Sequence, residues 1–208
     1  GGVSLVYESS RNGWLTEKIE RESVSGFQGE VSGYVTAGLS PSPIFVDTIE
    51  RFSFAVDGNA TDVGDTTLGR YTVAGQSSDV NGYTSGGQLP SPASTILDNI
   101  DKFPFAVNIN ATDVGDLTQA RQRPAGQSSS TSGYTAGGFN PPPFSNVIDK
   151  FPFSSDSNAT DVGDITQARQ LLVGQSSNEN GYSSGGFNPG YVNNIDKFPF
   201  ATDANATD

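Results

Sequence analysis

The residues with the plainest capacity for chemistry are carboxylates. Asp62-Val63-Gly64-Asp65, Asp113-Val114-Gly115-Asp116 and Asp161-Val162-Gly163-Asp164 each set two acids around a flexible glycine. Such a segment offers oxygen ligands to Ca2+, with Asp113, Asp116, Asp161 and Asp164 as the candidate metal ligands. Calcium takes about six to eight oxygens, however, and two carboxylates fall short of that set. The Asp-x-Asp-x-Asp-Gly order of an EF-hand loop is also missing. A pair of Asp or Glu side chains is equally the equipment of a glycosidase. Catalysis normally draws on one unique constellation, whereas every acidic pair here is copied along the chain. The expectation is therefore no enzyme and no cofactor, with each segment a tight turn whose Asp side chains accept backbone N–H bonds or pair with an arginine.

Other residues recur with the acids. Asn59, Asn110, Asn158 and Asn205 each open Asn-Ala-Thr, the acceptor signal for N-glycosylation in a secreted protein. Duplication of one loop accounts for all four, and Asn and Thr also suit a turn in which side chains bond nearby backbone. Arg70, Arg121 and Arg169 close three copies. Their planar guanidinium groups are expected to fork onto a carboxylate in the same or the next copy. Asp101, Asp149 and Asp196 are the expected partners, semi-buried because each shares a strand face with the phenylalanine two residues on. Phe103 with Phe105, Phe151 with Phe153 and Phe198 with Phe200 make one apolar face, expected to pack between copies. Stacking on a sugar would require those rings to be exposed.

Composition removes several classes. The chain has Cys 0, Met 0 and His 0, which excludes disulfides, Cys/His zinc sites and the Ser-His-Asp and Cys-His nucleophile systems. A net charge of −12 without a Lys/Arg cluster argues against nucleic acid as a partner. No apolar run is long enough for a spanning helix, so no membrane insertion is expected. Only 34% of residues are hydrophobic, yet they fall in short runs at fixed places, which points to lean, regular cores rather than disorder.

What positions all these residues is a repeat. Ile49-Glu50-Arg51-Phe52 returns as Ile100-Asp101-Lys102-Phe103, Ile148-Asp149-Lys150-Phe151 and Ile195-Asp196-Lys197-Phe198, at steps of 51, 48 and 47 residues. Periods of this size mark arrays of one supersecondary unit. The chain divides into a non-repeat segment 1–21 and copies at 22–70, 71–121, 122–169 and 170–208. Within a copy, Val147–Phe153 is a β-branched and aromatic run of strand length, bounded by the turn residues Asn140-Pro141-Pro142-Pro143. Helical spacing is scarce and turn signals are frequent, so the fold class is all-β. Four short strands per copy predict four-stranded antiparallel blades of about 48 residues, stacked as a β-propeller. A β-solenoid is the alternative. Pro104, Pro152 and Pro199 are expected on an outer edge strand, where a missing donor is tolerated.

Tyr83 with Gly86-Gly87 and Arg121, Tyr134 with Gly137-Gly138 and Arg169, and Tyr182 with Gly185-Gly186 carry a resemblance to the kelch repeat. Tyr34 with Ala37-Gly38 is a degraded form of the same motif. The tryptophan that kelch repeats place before the arginine is replaced in this region by Thr67, Leu117 or Ile165. This resemblance implies a propeller blade. The wording of the copies, with Ile-Asp-Lys-Phe-Pro-Phe, Asn-Ala-Thr-Asp-Val-Gly-Asp and Ala-Gly-Gln-Ser-Ser, also resembles repeat proteins of tailed marine phages, cyanophages among them. It implies a virion component, a tail fibre or surface decoration, with other virion proteins and a host surface glycan or protein as partners. A homo-oligomer or part of a larger assembly is expected, located on the particle or, in the alternative, secreted or at a cell surface. Gln88–Thr95, Phe139–Ser145 and Phe187–Val192 differ between copies and would be the presented loops. A cellular kelch-like interaction module or an extracellular filament subunit is the second reading, and a sugar-active propeller enzyme the third. The last copy stops short of Val-Gly-Asp and an arginine, so the count predicts a fragment of a longer array, or a small ring in which residues 1–21 supply the closing strands.

Overall fold

Short runs of β-branched and aromatic residues separated by Gly, Asn and Ser pair readily into antiparallel ladders. The computed structural model describes residues 3–8, 13–18, 31–39, 45–91, 93–141 and 144–208, and every regular element among them is a strand. β1 (Val3–Glu8) and β2 (Gly13–Lys18) pair with each other. β3 (Ser32–Leu39), β4 (Phe45–Ser53) and β5 (Thr61–Asp65) form the sheet of the first copy, whose residues 22–30 lie outside the described residues. The second copy folds as β6 (Ala74–Ser77), β7 (Asn81–Ser85), β8 (Asn99–Pro104) and β9 (Thr112–Asp116). The third folds as β10 (Ala125–Ser128), β11 (Ser132–Ala136), β12 (Val147–Pro152) and β13 (Thr160–Asp164). β14 (Val173–Ser176), β15 (Asn180–Ser184) and β16 (Ile195–Pro199) make the last.

Strand order follows chain order in every sheet, and all pairings are antiparallel, so each copy is a meander. The protein is thus all-β, built of sheets of three or four strands repeated along the chain. Among the described residues no ladder joins a strand to its counterpart in the next copy, which is the pairing a solenoid coil would require.

Two details differ from the sequence expectation. The Asp-Val-Gly-Asp segments are not turns; they lie in the fourth strand, for which a bulge opens the register between Ile148 and Asp149 and between Ile100 and Asp101. Gly115 carries the φ of 153° that this bend needs, and its missing Cβ leaves room for the Ser157 carbonyl of the next copy. The prolines of β8 and β12 lie inside their sheets, not on an edge. The Phe105 N–H donates to the Val80 carbonyl, so in an alternating ladder Pro104 faces the β9 side, where pairing has already ended at Lys102–Thr112. No donor is needed there.

The cores lie between sheets. Ile49, Val63 and Tyr34 of the first copy close on Phe103, Phe105 and Ala111 of the second. Tyr83, Ile100 and Leu117 meet Phe151, Phe153 and Ala159, and Tyr134, Ile148 and Ile165 meet Phe198, Phe200 and Ala206. Each buried phenylalanine lies flat over the glycine opposite it: a Cβ on Gly133 would stand 2.3 Å from the Phe151 ring. The first strands of successive sheets approach backbone to backbone. A Cβ on Gly126 would sit 2.2 Å from the Gly75 carbonyl oxygen, and one on Gly174 2.1 Å from that of Gly126.

Candidate functional site

An arginine in a lean protein must find its counter-charge inside a sheet interface. The closing loops of the first three copies end in Thr-x-x-Arg, and the backbone of each arginine is gripped by the glycine turn of its own sheet. The Gly87 N–H donates to the Arg121 carbonyl at 2.9 Å and the Gly138 N–H to that of Arg169 at 2.8 Å. Gly86 and Gly87 hold φ of 64° and 106°, a left-handed pair that only glycine adopts cheaply. The side chain then reaches into the next copy. Arg70 stands 3.4 Å from Asp101, Arg169 stands 2.9 Å from Asp196, and Arg121 pairs with Asp149. All six side chains are fully buried. Each aspartate also accepts from a threonine of the preceding copy: Thr67, Thr118 and Thr166 donate hydroxyls at 2.7 Å and backbone N–H groups at 2.8, 2.9 and 2.8 Å. Burial pulls the guanidinium pKa of Arg70 and Arg121 down, and Asp101 and Asp149 oppose that pull.

Amides form a second seam along the first strands. Gln76 Nε2 donates to the Tyr134 carbonyl at 3.0 Å, and Gln127 Nε2 donates to the Tyr182 carbonyl at 2.9 Å. The Ser77 N–H donates to Ser128 Oγ, and the Ser128 N–H to Ser176 Oγ, both at 2.9 Å. The sequence reading missed this row, although Gly-Gln-Ser recurs at one fixed place in three copies. A cavity of about 540 Å³ runs beside it, bordered by Gly75–Ser77, Gly126–Ser128 and Gly174–Ser176 and by no charged side chain among the described residues.

The outer rim uses the Asn-Ala-Thr segments. Asn110, Asn158 and Asn205 accept through Oδ1 from the N–H groups of Asp65, Asp116 and Asp164 at 3.2, 3.2 and 3.1 Å. The following alanine N–H groups donate back to the carbonyls of the same aspartates. Asn59 of the first copy lies exposed. The calcium candidates are used locally: Asp113 accepts the Gly115 N–H and the Asn99 amide, and Asp161 accepts the Gly163 N–H. Burial pushes the Asp116 carboxyl up, with Asp98 and Asp113 adding to it. Among the described residues no three acidic side chains converge as they would around an ion.

The three variable loops all connect the second strand of a sheet to the third. In the last two copies they carry a row of rings that the repeat pattern did not disclose. Phe139 contacts Phe144 at 5.7 Å, Phe144 contacts Phe187 at 6.3 Å, and Phe187 contacts Tyr191 at 5.5 Å between centroids. Tyr191 is 88% exposed. In the second copy Gln88 occupies the corresponding position and takes the Tyr71 hydroxyl at 3.1 Å, so among the described residues the aromatic row runs through the last two copies.

No protein-family model matches this chain, and no curated protein matches its sequence.

Proposed function

We propose that this chain is a non-enzymatic structural and adhesive protein of a tailed-phage particle, a tail fibre or surface decoration that presents the loops between second and third strands to a host glycan or protein. We read its sheets as kelch-like propeller blades. The observation that carries the functional reading is a division of labour. The polar groups copied in the repeats, namely Arg–Asp–Thr, Gln–Ser and Asn–Asp, are spent on the next sheet. The loops that differ between copies carry a half-buried aromatic row ending in the exposed Tyr191. Rings such as Tyr191 offer a large, rigid, amphipathic contact area at low entropic cost. The first strands of the last three sheets lie side by side, the sheets meet face to face, and a Gly-Gly turn grips Arg121 and Arg169, with Gly38 alone holding Arg70; these features support the blade reading.

Two measurements test the function. Peptide mass spectrometry of purified tailed-phage particles should contain the chain. A glycan array and whole-cell binding with the labelled protein should show retention that is lost in Tyr191→Ser, with every bound sugar recovered intact. Release of a shortened sugar, or binding that ignores Tyr191, would overturn the proposal.

A further inference from the structure

Between the third and fourth copies the variable loops meet a second variable position, in the connection that enters each sheet. Thr72, Arg123 and Leu171 stand two residues after the closing arginines, with left-handed φ of 58°, 56° and 60°. Their backbones are tied copy to copy: the Arg123 N–H donates to the Thr72 carbonyl at 2.9 Å and the Leu171 N–H to the Arg123 carbonyl at 3.1 Å. Side chains with a Cβ keep such a conformation only where the surroundings hold it, so one fixed frame carries three unlike residues. The residue just before each pairs with a variable loop. Gln170 stands opposite Phe187 in an antiparallel bridge, which sets both side chains on one side, and Phe144 of the third copy reaches the Phe187 ring. Arg123 Nη1 donates to Gln170 Oε1 at 3.1 Å, which brings the guanidinium to the same row. Arg123, Phe144 and Phe187 are all half-buried.

Charge singles Arg123 out. The chain holds 23 acids against 11 Lys and Arg, and Arg70, Arg121, Arg169, Lys102 and Lys150 each meet an aspartate. Arg123 meets an amide oxygen instead, and among the described residues no acid lies within ion-pair distance of it. Its planar fork keeps N–H groups for a bidentate carboxylate, and the rings of the row offer apolar faces to stack on. We infer that this site takes an acidic sugar, a uronate or sialate whose carboxylate forks onto Arg123 while its ring lies against Phe187 and Phe144. This assignment rests on the glycan reading above and narrows it to one charge class. Every residue of the site comes from the third and fourth copies and the frame between them.

The test is a glycan array printed with uronate- and sialate-bearing oligosaccharides, their carboxyl-reduced counterparts and a polyglutamate peptide, probed with the full chain. The wild type should prefer one acidic family over its reduced form at least about tenfold, and the family retained tells which acid is read. Arg123→Thr installs the residue that the second copy carries in the same frame, and it should abolish that preference. Phe187→Gln installs the second copy's Gln88, and it should weaken retention of both forms. Far-UV circular dichroism checks that both variants fold. Equal retention of acidic and reduced sugars, a preference that survives Arg123→Thr, indifference to Phe187→Gln, or tighter retention of the peptide would overturn the inference. Equal retention that is still lost in Tyr191→Ser would leave the adhesive reading standing, whereas retention of no sugar at all would sink both.

Discussion

Cutting Phe151 to alanine should cost about 3–5 kcal/mol, and the structure explains why. The ring is 2% exposed, lies over Gly133, and packs against Tyr83 with centroids 5.4 Å apart. Withdrawing a phenylalanine side chain from water is worth about 1.5–3 kcal/mol by area alone. The tyrosine contact adds about 0.5–1.5 kcal/mol. The remainder is the cavity, because Gly133 has no side chain to fill it and the seam hydrogen bonds keep the sheets apart. The first copy provides the control. Phe52 also lies over a glycine, Gly33, but is 37% exposed, and its loss should cost only about 1–2 kcal/mol. Urea unfolding followed by far-UV circular dichroism, at a concentration low enough to keep the chain monomeric, gives both values from midpoints at constant slope. Equal costs for the two substitutions, or a cost under about 1 kcal/mol for Phe151→Ala, would refute inter-sheet packing as the role of this ring.

Arg121→Met leaves Asp149 buried without its cation and should destabilise by about 3–5 kcal/mol; Asp149→Leu in the same chain should recover most of that loss, and a double variant no better than the single one would contradict the pairing. Gly126→Ala should cost about 1–3 kcal/mol in the same unfolding assay, since its methyl would meet the Gly75 carbonyl, and a neutral result would mean the first strands do not touch. Burial holds the phenols of Tyr83 and Tyr134 above their usual value. Unfolding releases groups that ionise near pH 10, so above that pH the folded chain binds more protons than the unfolded one. Their contribution is intact below about pH 10 and lost as pH rises through the folded values; urea midpoints should fall there, and a flat or rising midpoint would contradict the burial of these hydroxyls.

The all-β class was legible because short β-branched and aromatic runs admit little else, and the repeat announced that one unit would be copied. The fourth strand was not, because Asp-Val-Gly-Asp has turn composition; only the bulge in β12, and its counterparts in β4 and β8, reveal that the glycine serves a bent strand. The proline was misplaced for a related reason, since its donor is dispensable wherever the neighbouring strand has ended and not solely at an edge. A guanidinium seeks a carboxylate in any fold, so the arginines and aspartates could be named together, but the sequence left open whether each arginine pairs within its own copy or with the next. Gln76 was invisible as a seam residue because its acceptor, the Tyr134 carbonyl, lies in the next copy. The ring row of Phe139, Phe144, Phe187 and Tyr191 escaped because it breaks the repeat, and periodicity reports only what is shared.

The central claim is that each copy folds into the same sheet and leans on its successor in one fixed register. The chain has Cys 0, so two engineered thiols can report on that register without competition. Ser85 Oγ and Thr135 Oγ1 lie 2.9 Å apart across two copies, close enough for cysteines to bridge with little backbone movement. Mass spectrometry of Ser85→Cys/Thr135→Cys after mild oxidation should show near-complete loss of two hydrogens and a peptide joining the two positions. A chain that keeps both thiols free, or joins only between molecules, would contradict the account.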